Sequence, residues 1–109
     1  MASRDCEKEI IDNAEAKNVN GSSCDKASKG WLAKWSKEVG RTPGKCSYLG
    51  CSNDAAVGGH LWIKNRKSNN YNYIAPICYA CNSNRDNQYY EMKSNVAYLK
   101  INSNSCIFE

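Results

Sequence analysis

The sequence predicts an α+β fold built round a metal site, and three observations lead to it. Two close cysteine pairs, Cys46/Cys51 and Cys78/Cys81, lie either side of Gly58-Gly59-His60, which holds the chain's only histidine. The residues between the pairs read as two strands joined by a polar loop. Ahead of them, Trp31, Leu32, Trp35 and Val39 recur at the spacing of one helix face. The expected architecture is a small zinc domain, a β-hairpin plus a helix, with an added N-terminal amphipathic helix.

Taken in order, residues 1–22 read as a solvated N-terminal segment, partly helical or flexible. Ile10, Ile11 and Ala14 make a narrow apolar stripe at helical spacing within Glu7 to Lys17. Asn20-Gly21-Ser22-Ser23 is a turn by composition. Residues 23–109 read as a single zinc-binding domain. Its first helix runs from Ser28 to Gly40, with Asp25 or Ser28 as N-cap and Gly40 suited to a left-handed C-terminal cap. The two tryptophans on its stripe could stack on bases, but such a stripe is more often core.

Thr42-Pro43-Gly44 breaks the chain before the first cysteine turn, and Ser52-Asn53-Asp54 is a turn after it. Ala55 to Ile63 reads as a strand in which Gly58-Gly59 marks a bulge or a close approach. Lys64 to Asn72 is a polar loop. Tyr73 to Ile77 is a second strand, which Pro76 makes an edge or terminates. A short helix follows the second cysteine turn, from Asn82 towards Tyr90, and Asn95 to Ile101 reads as a last strand.

The chain of 109 residues is long enough for one domain. Its mean hydropathy is -0.71, so its core is small, and small cores are often supplemented by metals. Net charge is +4 and the pI about 8.7, which permits nucleic-acid binding without demanding it. No apolar run resembles a signal peptide or a membrane span, so the expected location is intracellular. In a reducing compartment, clustered cysteines bind metal more often than they form disulfides. Four of the seven cysteines fit one tetrahedral zinc ion, and Cys6, Cys24 and Cys106 are left over. The alternative without metal is a domain stapled by disulfides.

The segment Tyr73-Ile74-Ala75-Pro76-Ile77-Cys78-Tyr79-Ala80-Cys81-Asn82, with Arg85 three residues on, resembles the central motif of the HNH endonucleases. Those proteins set a cysteine pair in each turn around a hairpin and helix, the treble-clef (ββα-metal) layout. The resemblance implies that Cys46, Cys51, Cys78 and Cys81 hold structural Zn²⁺. It also puts His60 at the position of the general base and Asn82 at that of a second-metal ligand, where the family places Mg²⁺ or Mn²⁺ on the scissile phosphate. Gly59 stands where the family has a metal-binding acid. Tyr73 stands where it has an orienting Asn, with Asn72 adjacent.

His60 therefore has three readings: general base, zinc ligand in place of Cys51, or structural imidazole. Asp54 and Asp86 could supply the missing carboxylate only if folding brings them close. Lys64, Arg66, Lys67 and Arg85 are the candidate phosphate contacts, with Tyr71 and Tyr73 as stacking candidates. The function expected first is a non-catalytic HNH-like zinc module binding DNA, RNA or a protein partner. The alternative is an active metal-dependent endonuclease.

Overall fold

The computed structural model describes residues 6–19, 28–65, 71–84 and 88–102. Along the chain, the elements are β1 (Cys6–Ile11), β2 (Glu15–Asn18), α1 (Ser28–Val39), β3 (Val57–Ile63), β4 (Tyr71–Ile77), α2 (Tyr79–Asn84), β5 (Tyr90–Glu91) and β6 (Val96–Asn102). The six strands form one antiparallel sheet in the order β1-β6-β4-β3-β2-β5.

The sheet returns on itself. β1 and β2 are halves of one stretch, broken at Asn13 with φ 57°, and β5 and β6 are halves of another, broken near Asn95 with φ 59°. Asn tolerates the left-handed region better than most residues. β1 pairs with β6, while β2 pairs with both β5 and β3. The stretches 6–18, 57–63, 71–77 and 90–102 thus pair in a ring. Between the two halves, the Met92 N–H donates to Ala14 O at 2.8 Å and the Asn95 N–H donates to Asp12 Oδ1 at 2.6 Å. Ring closure leaves few unpaired strand edges.

Alternation along the strands separates two faces. Ile11, Ala16, Leu61, Ile63, Tyr73, Ile77, Val96 and Tyr98 come from every long stretch and meet in one buried inner cluster. The other face of β4 and β6 presents Ile74, Ala97, Leu99 and Ile101, which pack against Trp31, Trp35 and Val39 of α1. Those three helix residues, spaced four apart, are the apolar stripe read from the sequence, and they are core: Trp31 is 2 % exposed and Trp35 3 %. Gly40, at φ 79°, ends the helix in an αL cap, its N–H donating to Ser36 O at 2.9 Å.

Gly58-Gly59 is a close approach on both faces. A Cβ on Gly58 would lie 2.7 Å from Leu32 N and 2.8 Å from Trp31 C, so α1 sits directly on β3 there. A Cβ on Gly59 would strike the Ile77 side chain on the other face. Gly58→Ala should therefore cost about 1–3 kcal/mol in denaturant unfolding, as overpacking does. A mutant unfolding at the wild-type midpoint would show that α1 can lift off β3 without cost.

Four expectations are corrected. The fold is not a β-hairpin plus helix of the treble-clef kind: the hairpin β3–β4 is the middle of a six-stranded sheet. The helix that carries the tryptophans is not N-terminal, because β1 and β2 precede it. The stripe of Ile10, Ile11 and Ala14 lies in extended chain, where Ile11 and Ala14 point inwards and Ile10 is 47 % exposed. Pairing with β6 and β3 outweighs a local pattern that suits either period. Pro76 lies inside β4 rather than ending it. It is tolerated because β6 pairs with β4 only over Tyr71–Ile74, which leaves no ladder to break at Pro76 on that side. Asp25, Cys24, Arg66, Lys67, Arg85, Asp86 and Cys106 lie outside the described residues. Among the described residues, no helix is long and apolar enough to cross a membrane.

Candidate metal centre

Each of the four cysteines is placed by a local turn tied to the sheet. In the first turn, the Cys51 N–H donates to Tyr48 O at 3.2 Å, and Gly50 at φ 83° supplies the left-handed residue that such a turn needs. The turn's flanks are joined by a bridge between Lys45 and Asp54, with Lys45 Nζ 2.6 Å from Asp54 Oδ1. The Cys46 N–H donates to Asn53 O at 2.9 Å. The second turn starts as β4 ends. The Cys81 N–H points at Cys78 Sγ (3.4 Å), and α2 begins inside the turn, with the Asn82 N–H donating to Cys78 O at 3.0 Å.

The four sulfurs lie within 4.8 Å of one another. Cys51 Sγ is 3.8 Å from both Cys78 Sγ and Cys81 Sγ. A tetrahedron with metal–sulfur bonds of about 2.3 Å has edges of roughly 3.8 Å, so these separations match a shared ion. They are far longer than the roughly 2.05 Å of a disulfide, and none of the four cysteines is in a disulfide. A stapled domain would need its bridges elsewhere, at Cys6, Cys24 or Cys106, whose side chains are not among those described.

The surroundings suit thiolates. Burial pushes the Cys78 thiol up, but the Cys81 N–H, the Asn53 amide (Nδ2 to Sγ 3.6 Å) and the neighbouring sulfurs outweigh it and bring it down to about 6. Cys78 is therefore largely ionised at neutral pH. Burial holds the Cys46 thiol above its ordinary value, although backbone N–H groups beside it pull the other way. A divalent ion with four thiolates remains net negative. The Lys93 ammonium stands close, donating to Cys51 O at 2.7 Å.

Asn18 and Lys93 are the two supporting residues that sequence reading misses. Asn18 is buried on β2. Its amide donates to Cys81 O at 2.9 Å and accepts from the Tyr48 hydroxyl at 2.8 Å, clamping both cysteine turns to the sheet. The alternation Ala14, Ala16, Asn18, read at period two, was the signal for an inward-facing Asn. Lys93 carries no such signal.

The other site candidates separate. His60 lies on β3 facing α1, its ring edge-on to Trp31 at 5.6 Å, and is 7 % exposed. Asn82 is exposed on α2, and its Oδ1 lies 3.5 Å from where a Gly59 Cβ would be, on the opposite face of β3. Lys64 is exposed and pairs with Glu15 at 3.6 Å. Asp54 is taken by Lys45, which lowers its carboxyl. Tyr73 is buried edge-on to Tyr98 at 6.3 Å, while Tyr71 is exposed beneath Lys100, whose Nζ is 4.4 Å from the ring centre.

The fold and site together define a closed antiparallel sheet carrying a four-cysteine cluster able to hold a metal ion. Comparison of the chain with protein-family models, curated proteins and solved structures finds no match.

Proposed function

We propose that this protein is a zinc-binding, non-catalytic module that binds nucleic acid. The observation that carries the zinc reading is the sulfur spacing: all four lie within 4.8 Å of one another, and Cys51 stands from Cys78 and from Cys81 at 3.8 Å, about the edge of a thiolate tetrahedron. The ion would join the first cysteine turn to α2, tying together two segments that come from opposite ends of the β3–β4 hairpin. Its role is to hold the fold. The donor set supplies no open coordination position, which is the arrangement of structural rather than catalytic zinc.

The non-catalytic reading rests on His60. A general base must reach a water and the scissile phosphate. His60 instead packs under α1, with Asn82 on the other side of the strand. Nucleic acid is favoured by the net charge of +4 and by cations set beside aromatic rings: Lys17 Nζ lies 5.3 Å from the Trp62 ring and 4.9 Å from that of Tyr89. A protein partner is the second reading. It is favoured by Leu49 and Tyr79, one on each cysteine turn and each more than half exposed.

Gel shifts of duplex DNA at two salt concentrations test the binding reading, with affinity expected to fall steeply as salt rises. A shift that is absent or indifferent to salt would leave the protein-partner reading. Plasmid incubated with Mg²⁺ or Mn²⁺ should stay intact with wild type and with His60→Ala alike. Nicking by wild type that His60→Ala abolishes would replace the binder with an endonuclease.

A further inference from the structure

A cleft of about 160 Å³ opens beside the first cysteine turn, on the side of the sheet where α1 ends. Arg41, Lys45 and Lys93 line it, with the hydroxyl-bearing Thr42 and Ser94. No carboxylate is in its wall. Three cations from three separate segments converge on one small concavity: the residue after α1's cap, the start of the cysteine turn, and the approach to β6. Lys45 is already paired with Asp54 at 2.6 Å, whereas Arg41 and Lys93 have no carboxylate partner among the described residues, and their like charges favour an anion between them.

Two carboxylates touch residues of the lining, so a bound anion would have to compete with Asp54 for the Lys45 ammonium. Asp54 is held by Lys45 at 2.6 Å, and Asp12 accepts from the Asn95 N–H at 2.6 Å. The cations keep donors to spare. Arg41 Nη1 donates to Asn95 O at 2.9 Å, which leaves most of the guanidinium donors uncommitted. Lys93 spends one donor on Cys51 O. The Arg41 bond also fixes the guanidinium at the rim, which suits the planar recognition of an oxyanion. Trp35 forms part of the wall but is only 3 % exposed, so a base could not stack on it. The chemistry on offer is that of a tetrahedral anion, not of a ring.

We propose that this cleft binds a phosphate group through Arg41, Lys45 and Lys93. That the phosphate belongs to a nucleic-acid backbone rests on the binding reading above. The site itself does not. Because Lys93 holds the carbonyl of Cys51, an occupied cleft would sit directly against the metal-bearing turn.

The test uses the zinc-loaded full chain and follows backbone amides by NMR during titration with inorganic phosphate and, separately, with a short DNA duplex. Both are expected to shift the amides of Arg41, Thr42, Ser94 and Asn95 in the wild type. Arg41→Gln/Lys45→Gln should abolish the phosphate-induced shifts and flatten the salt dependence of duplex binding by about one unit of slope per lost contact. The charge-matched Lys8→Gln/Lys37→Gln, at exposed positions away from the cleft, should leave the phosphate shifts in place. Zinc content and far-UV spectra confirm that each variant is folded. If phosphate shifts these amides and DNA does not, the site stands and the nucleic-acid reading fails. If neither ligand shifts them, or if both double variants lose the shifts equally, the proposal is overturned.

Discussion

Stripped of the proposed zinc by a chelator at neutral pH, the chain should lose the ordered packing of its cysteine turns and much of its stability. Binding to a structural four-thiolate site contributes about 10–16 kcal/mol apparent in isolated zinc-finger peptides. That figure is an upper bound here, since the sheet has an apolar core of its own. The segment 45–56 and α2 reach the sheet through Tyr48 and the cysteines, which join the inner core, and through polar clamps such as Asn18 to Cys81 O and Ser47 Oγ to Pro76 O (2.7 Å). Without the ion, four ionisable sulfurs would crowd within 4.8 Å, with Cys78 already charged at neutral pH. Near-UV circular dichroism and thermal melting should show a large, zinc-reversible loss, and native mass spectrometry should find one zinc per chain.

Acid should have the same effect as chelation. Thiols bind metal as thiolates, so loading releases protons and affinity falls as pH falls. Cys46, whose thiol burial holds above its ordinary value, releases its proton only on metal binding at neutral pH. Cys78, brought down to about 6, should contribute little to that release at about pH 7 and above. Cys78→Ser should abolish stoichiometric zinc, because a serine hydroxyl is not ionised at neutral pH and one of the four thiolate ligands is lost. A chelated protein with the melting temperature of the loaded one would sink the structural-zinc reading.

Trp35→Ala should be the most damaging change on the other face of the sheet. Truncating a buried Trp costs about 3–5 kcal/mol. Trp35 packs between Ala97, Leu99 and the rest of the α1 stripe, and its indole N–H donates to Ala97 O at 2.8 Å. Truncation would empty that space and leave a buried carbonyl unmet. Trp35→Phe keeps most of the volume and loses the hydrogen bond alone, so it should cost about 1–3 kcal/mol. Both variants should still bind one zinc per chain, since the cysteines lie on the inner face. Zinc loss in step with stability would mean that the two faces do not fold as the separate clusters suggest.

Legibility followed range along the chain. The helix stripe, its Gly40 cap, strands β3 and β4 and the pairing of the four cysteines were all readable, because each depends on residues a few positions apart. Pro76 misled because a proline's cost depends on which neighbour strand reaches it. His60 was open to three readings because a strand residue's face is set by register, and one step of register would turn it from α1 to the cysteines. The hairpin pairing His60 with Ile74 decides that, and it places the imidazole beside Trp31.

By itself, the sequence determined that two cysteine turns could offer four sulfurs and that one helix carries two tryptophans on a single face. Both follow from spacing within a few residues. Tertiary structure alone decided that residues 6–18 become strands, that the ring closes through β5 and β6, and that Asn18 ties both cysteine turns to the sheet. A short stretch such as Ile10, Ile11 and Ala14 satisfies helix and strand almost equally. Its state is chosen by hydrogen-bonding partners far along the chain, at Val96 to Ile101, which no local pattern records.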